Sequence, residues 1–129
     1  MTPEEIFTAL SERNGFPRDA MIAAGQCREE MVPIFLEQID RLSQKPITSG
    51  DDPDVAAFLF TFFLLGEWRE QSTYRPLISL LRRDEKALDY LIGDAVTDGA
   101  ARVIAAVFDG DLQPIFEALE DPDADVFAR

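Results

Sequence analysis

From Val55 to Leu65 every residue but Thr61 is apolar, and the run closes on Gly66-Glu67-Trp68. A helix apolar on nearly all sides has no face to give to water, so it belongs in an interior. Asp51, Asp52 and Asp54 ahead of it supply an N-cap and charge matched to the helix dipole, with Pro53 beside them. Crossing a bilayer takes about 20 apolar residues, more than this run holds. The pattern predicts the central buried helix of an all-α domain, over 54–68.

The remaining pattern is helical too. Thr2-Pro3-Glu4-Glu5 has the form of a capping box, and the short helix behind it turns Ile6, Phe7 and Leu10 inward before stopping near Asn14-Gly15. Phe16-Pro17 opens a second helix with Ala20, Met21, Ile22 and Ala24 as its apolar set, ending around Gly25 to Cys27. Arg28-Glu29-Glu30 starts a longer one to about Ser43, in which Pro33 is tolerated only if it lies in the first turn. Lys45 to Gly50 reads as a loop. After the central helix come helices from about Tyr74 to Arg83, from Asp84-Glu85 to Gly93, from Asp98 to Phe108, and from Leu112 to Glu120, with a last start at Asp121-Pro122-Asp123. No segment alternates with the period of a half-buried strand.

Three of these helices open alike: Val32-Pro33-Ile34-Phe35, Arg75-Pro76-Leu77-Ile78 and Gln113-Pro114-Ile115-Phe116. Each follows, a short turn away, a helix rich in small and apolar residues. The predicted pairs are 17–27 with 30–43, 54–68 with 74–83, and 98–108 with 111–120. A helix pair recurring roughly every 40 residues has the period of HEAT or armadillo repeats. Such pairs bury both faces only by stacking, so the middle pair is covered twice, which suits the most apolar helix. The expected fold is an α-α superhelix: about three stacked pairs, wound right-handed, plus short extra helices, in a single domain over 1–129.

The stretch Leu112 to Val126 resembles the consensus of short HEAT-like repeats of the phycobilisome-lyase type, in which Leu-x-Asp-Pro-Asp precedes a Val that begins the next repeat. The chain as a whole resembles a bacterial family known as a domain of unknown function, number 1186. The resemblance rests on Gly15-Phe16-Pro17-Arg18, Arg28-Glu29-Glu30, Leu91-Ile92-Gly93-Asp94 and Phe108-Asp109-Gly110-Asp111-Leu112. It implies a helical-repeat fold and points to no activity. Some longer relatives carry a Cys-rich metal-binding tail, which this sequence lacks.

Composition narrows the function. The formal charge of −13, from 25 acidic and 12 basic residues, disfavours nucleic acid and anionic membrane as partners, because phosphate binding draws on clustered Lys and Arg. There is no histidine, which removes His-based triads and imidazole metal sites. Cys27 is the only cysteine, so it has no partner for a disulfide or a zinc pair and reads as a small core residue. The acidic N-terminus is unlike a signal peptide, so the expected location is the cytoplasm. Asp121-Pro-Asp-Ala-Asp125 spaces its carboxylates like a calcium loop but puts Val126 where that loop needs Gly, so a helix start accounts for it better. No cofactor or metal is expected.

Five of the twelve basic residues fall between Arg69 and Lys86. In solenoids the second helix of each pair commonly lines the concave side, so Arg75, Arg82 and Arg83 form a candidate spot for an acidic peptide or phosphate. The competing account is dipole complementation and pairing with neighbouring acids. Trp68 and Tyr74, flanking the turn, are either an exposed aromatic anchor or the packing of the pair. The expected function is a non-enzymatic protein-protein interaction module with a protein or peptide partner, and an uncovered end repeat leaves room for a homodimer. Two alternatives stand: a small enzyme using carboxylate, Arg, Tyr or Cys27 groups in a concave groove, and a nucleic-acid-binding HEAT-like protein, which the charge opposes.

Overall fold

Thr2 starts the first helix with the capping box its sequence predicts: its Oγ1 accepts from Glu5 N at 3.2 Å, and Glu5 Oε1 accepts from Thr2 N at 3.1 Å. The computed structural model describes residues 2–12, 17–83, 85–93 and 99–120. Among them the protein is all-α, with eight helices, a 3-10 turn at Gln71–Thr73 and no strand. The helices are α1 (Pro3–Ser11), α2 (Arg18–Gln26), α3 (Arg28–Gln44), α4 (Pro53–Trp68), α5 (Tyr74–Leu81), α6 (Glu85–Ile92), α7 (Gly99–Val107) and α8 (Gln113–Glu120). The stops and starts expected at 14–16, 84, 94–98 and 121–129 lie outside the described residues.

The helices pack in two rows. In one, α4 lies between α1 and α7; in the other, α5 lies between α3 and α8. The rows meet where α3 packs on α1 and α4, and where α5 packs on α7. Helix α2 joins α1, α3 and α4, and α6 packs on α4. The proline pattern pairs 17–27 with 30–43, and α2 does pack on α3, but the helix that lines up beside α4 is α1. The reason is in the side chains: α1 sends Ile6 and Leu10 wholly into the core, whereas α2 buries only Ala20 and Ala24 and leaves Ile22 52% exposed. A helix whose buried face is alanine fills a gap between larger neighbours rather than holding a place in a row.

Helix α4 is central, as the apolar run predicts. Val55, Ala57, Phe58, Phe62, Leu64 and Leu65 are buried. One strip departs from the expectation of a helix with no face toward water. Ala56, Leu59 and Phe60 are half-buried, Phe63 is 42% exposed, and Glu67 is exposed. These positions recur at the helical spacing and so share one side. The helix ends with Arg69 in the left-handed region at φ 54°, its N–H donating to Gly66 O while Glu70 N–H donates to Leu65 O. That is the usual Schellman closure, here on a residue with a Cβ.

Pro33 also departs from expectation. Helix α3 begins at Arg28, so Pro33 sits inside it, beyond the first turn. Lacking an N–H, it leaves the Glu29 carbonyl without its intrahelical donor. Glu29 is exposed, so water meets that carbonyl at low cost.

A polar seam runs through the contact of α3 with α4. Buried Gln38 donates from Nε2 to the Asp54 carbonyl at 2.7 Å, and its Oε1 accepts from Thr61 Oγ1 at 2.9 Å. Around the same helix start, Asp54 Oδ1 accepts from Arg41 Nη2 at 2.8 Å, and its Oδ2 accepts from Arg41 Nε at 2.9 Å and from Lys45 Nζ at 2.8 Å. Among the described residues no buried side-chain nitrogen or oxygen lacks a partner. The forked Arg41 bond, opposed by burial, holds the Asp54 carboxyl below its ordinary range. A depressed carboxyl adds stability that is present above its unfolded pKa and lost as pH falls through its folded pKa. The difference in melting temperature between the wild type and Asp54→Asn is therefore expected to be largest at neutral pH and to shrink steadily below about pH 4. Thermal melts across pH 2–7, monitored by circular dichroism, check this; a difference that is constant with pH would contradict it.

Candidate functional site

The candidate side chains all lie at or near α5, where the turn from α4 delivers them. Tyr74 is wholly buried. Its ring stands edge-on to Phe108 at 5.4 Å, and its hydroxyl donates to the Asp111 carbonyl at 2.7 Å. Burial pushes its pKa up, helped by the carboxylates of Asp109 and Asp111. Of the two roles open to Tyr74, anchor or packing, its position serves packing.

Arg75 is exposed, and its guanidinium is engaged. Nη2 bonds Asp111 Oδ2 at 2.7 Å and Nε bonds Asp109 Oδ2 at 3.3 Å. Its pKa is raised, mainly by the Asp111 bond. Asp111 is lowered in turn, first by the Gln113 N–H and then by Arg75. Arg83 turns the other way. Its Nη1 donates to the carbonyls of Leu42 at 2.7 Å and Lys45 at 2.6 Å, satisfying the C-terminal end of α3. Arg82 is half-buried and has interactions of its own.

Trp68 ends α4 half-buried, stacked on the buried ring of Phe35 in α3 with centroids 6.0 Å apart. The Arg28 guanidinium lies over the Trp68 ring, 5.9 Å from its centroid, a cation–π contact. The proposed basic spot is therefore dispersed: Arg75 and Tyr74 tie α5 to the turn before α8, Arg83 ties α5 to α3, and Trp68 ties α4 to α3. What the structure brings together from the sequence-selected residues is a set of joints between helices.

Chemistry elsewhere is sparse. Among the described residues no three metal-ligating side chains converge, and no helix is long and apolar enough to cross a membrane. Cys27 is half-buried at the junction of α2 and α3, its Sγ donating to the Ala23 carbonyl at 3.4 Å. The carboxylates of Asp121, Asp123 and Asp125 lie outside the described residues.

Among the described residues the large apolar side chains exposed to solvent are Ile22, Phe63, Tyr90, Leu112 and Phe116, of which the apolar pattern places Ile22 and Phe63 inside. For Phe63 a signal existed. It falls on the side of α4 that runs through Ala56 and Phe60 to Glu67, and a polar residue at the end of a helical strip marks the side that faces water. On the row α3–α5–α8, the exposed positions include Glu30, Pro33, Glu37, Ser79 and Glu117.

A family profile described as "Protein of unknown function (DUF1186)" matches residues 1–129. An uncharacterized protein of Chlamydia muridarum (strain MoPn / Nigg) is 27% identical over 123 residues, covering 95% of this chain and 49% of the relative. Another, from Chlamydia trachomatis serovar D, is 25% identical over 130 residues, covering 100% of this chain and 51% of the relative. The chain spans about half the length of these relatives. No solved structure matches.

Proposed function

We propose for this chain, which belongs to the DUF1186 family, the role of a non-enzymatic protein-protein interaction module working in the cytoplasm. The observation that carries this is the two-row packing, in which α4 and α5 are each flanked by neighbours on both sides. On this reading the rows are the two layers of a short HEAT-like superhelix, and α3, α5 and α8 line the side that receives a protein or peptide. The engagement of Tyr74, Arg75, Arg83 and Trp68 as joints supports the same reading. Their bonds hold the layers in register, and contact with a partner falls to the exposed residues between them.

The test uses affinity capture from an extract of the native host, with two variants that each place a long charged side chain at an exposed site. Ser79→Arg alters the outer side of α5, and Ala105→Arg alters the outer side of α7. Both are expected to melt like wild type. Ser79→Arg is expected to lose captured protein by roughly tenfold, the effect of blocking a central contact, while Ala105→Arg retains it. Equal capture by both variants, or capture by neither wild type nor variants, would sink the proposal.

A further inference from the structure

We infer that α8 is a hinged flap that opens from α5 while the rest of the fold stays closed, and that Tyr74, Arg75 and Asp111 form the clasp holding it shut.

The first ground is burial. Each of α1 to α7 sends at least one side chain fully into the core, whereas every described side chain of α8 is at least partly exposed. Leu112 just before it and Phe116 on it are 50% and 49% exposed, and among the described side chains of α8 Ile115 and Ala118 pack on the core while half-buried. Its backbone lies against α5. Local opening is cheapest where few apolar contacts must be given up, so α8 sits at the low-stability end of this fold.

The second ground is the joint in front of it. Gly110 takes φ 97°, a conformation that side chains disfavour, in the segment that joins α7 to α8. One residue later, Asp111 gathers the bonds that fix the turn. Its carbonyl accepts from buried Tyr74, its Oδ2 pairs with Arg75, and its Oδ1 accepts from Gln113 N at 2.9 Å, an Asx turn that satisfies the first amide of α8. The residue that holds the first amide of α8 is thus the one that α5 grips. Loosening the grip weakens docking and helix start together. Opening would bare the side of α5 that α8 covers. This inference stands apart from the proposed binding role, and its test involves no partner.

Hydrogen–deuterium exchange of the full chain, read by mass spectrometry, separates local from global opening. In wild type, amides of 112–120 are expected to exchange at least about tenfold faster, relative to their intrinsic rates, than those of 57–66, and to be insensitive to low urea. Tyr74→Phe keeps the ring and removes the hydroxyl, and should speed 112–120 by about two- to tenfold. Arg75→Gln should speed it by about two- to fivefold. Ile39→Val, in the core of α3 away from the clasp, should speed 57–66 by about two- to tenfold and leave 112–120 unchanged. The inference is overturned if Ile39→Val accelerates both segments by the same factor, since α8 then opens only with the whole fold. It is equally overturned if both clasp variants leave 112–120 at the wild-type rate.

Discussion

Phe62→Asp is expected to leave no soluble folded protein. Phe62 is fully buried in the middle of α4, with its ring 5.6 Å from that of Phe58 and 6.1 Å from that of Phe63. Truncating a buried phenylalanine alone costs about 3–5 kcal/mol. The substitution adds a carboxylate among apolar rings, and burying an unpaired charge costs several kcal/mol more even after the surroundings relax. The sum reaches the whole stability of an ordinary domain, about 5–15 kcal/mol. Phe63→Asp is the informative control: it lies next along the same helix, on the side that meets water, and should fold with only a modest fall in melting temperature. Soluble yield and far-ultraviolet circular dichroism of the two variants check this. A Phe62→Asp protein that melts within a few degrees of wild type would contradict the placement of α4.

Enlarging Gly66 should be the next most damaging change. A Cβ built on Gly66 would lie 2.9 Å from Val103 Cγ2 and 3.3 Å from its Cγ1, so α4 and α7 approach through the missing side chain. Alanine at an interior helical position gains up to about 1 kcal/mol over glycine from propensity, which here works against the clash. Leucine gains nearly as much from propensity, but its larger side chain has far more volume to place against Val103. Gly66→Leu is expected to destabilise by about 1–3 kcal/mol or more, the usual range for overpacking, through separation of α4 from α7. The pairing can be demonstrated by a cycle with Val103→Ala. Val103→Ala alone removes buried methyl groups and destabilises, but in the presence of Gly66→Ala it makes room for the new Cβ, so the two losses should not add. Additive melting shifts would show that the contact is not the cause.

Most of the helices were legible because their ends carry local chemistry. Thr2 and Glu5, Asp52 and Pro53, and Gly93 act through neighbours in sequence, so their patterns are readable without the fold. The middle position of α4 was legible for a related reason: a run with one polar residue between Val55 and Leu65 has few places to go. Relations between helices were less so. Nothing local distinguishes α1 from α2 as the neighbour of α4; the choice depends on how far Ile6 and Leu10 reach compared with Ala20 and Ala24. Arg75 and Arg83 look alike along the chain, a short helix apart. One bonds carboxylates before α8 and the other the last carbonyls of α3, because α5 has a different neighbour toward each end. A window of basic residues therefore read as one surface where the folded chain has separate joints.

The polar seam between α3 and α4 solves a problem that so greasy a helix creates. Apolar contacts are non-directional, and a rod of phenylalanine and leucine would pack almost as well if turned by a fraction of a revolution or slid by one turn. Gln38 makes those alternatives unequal. Only one setting of α4 places both Thr61 Oγ1 and the Asp54 carbonyl at its amide, and every other setting strands a buried polar group. The seam acts as a key in a keyway. It adds little to how strongly the helices adhere, and it decides which single alignment they adopt.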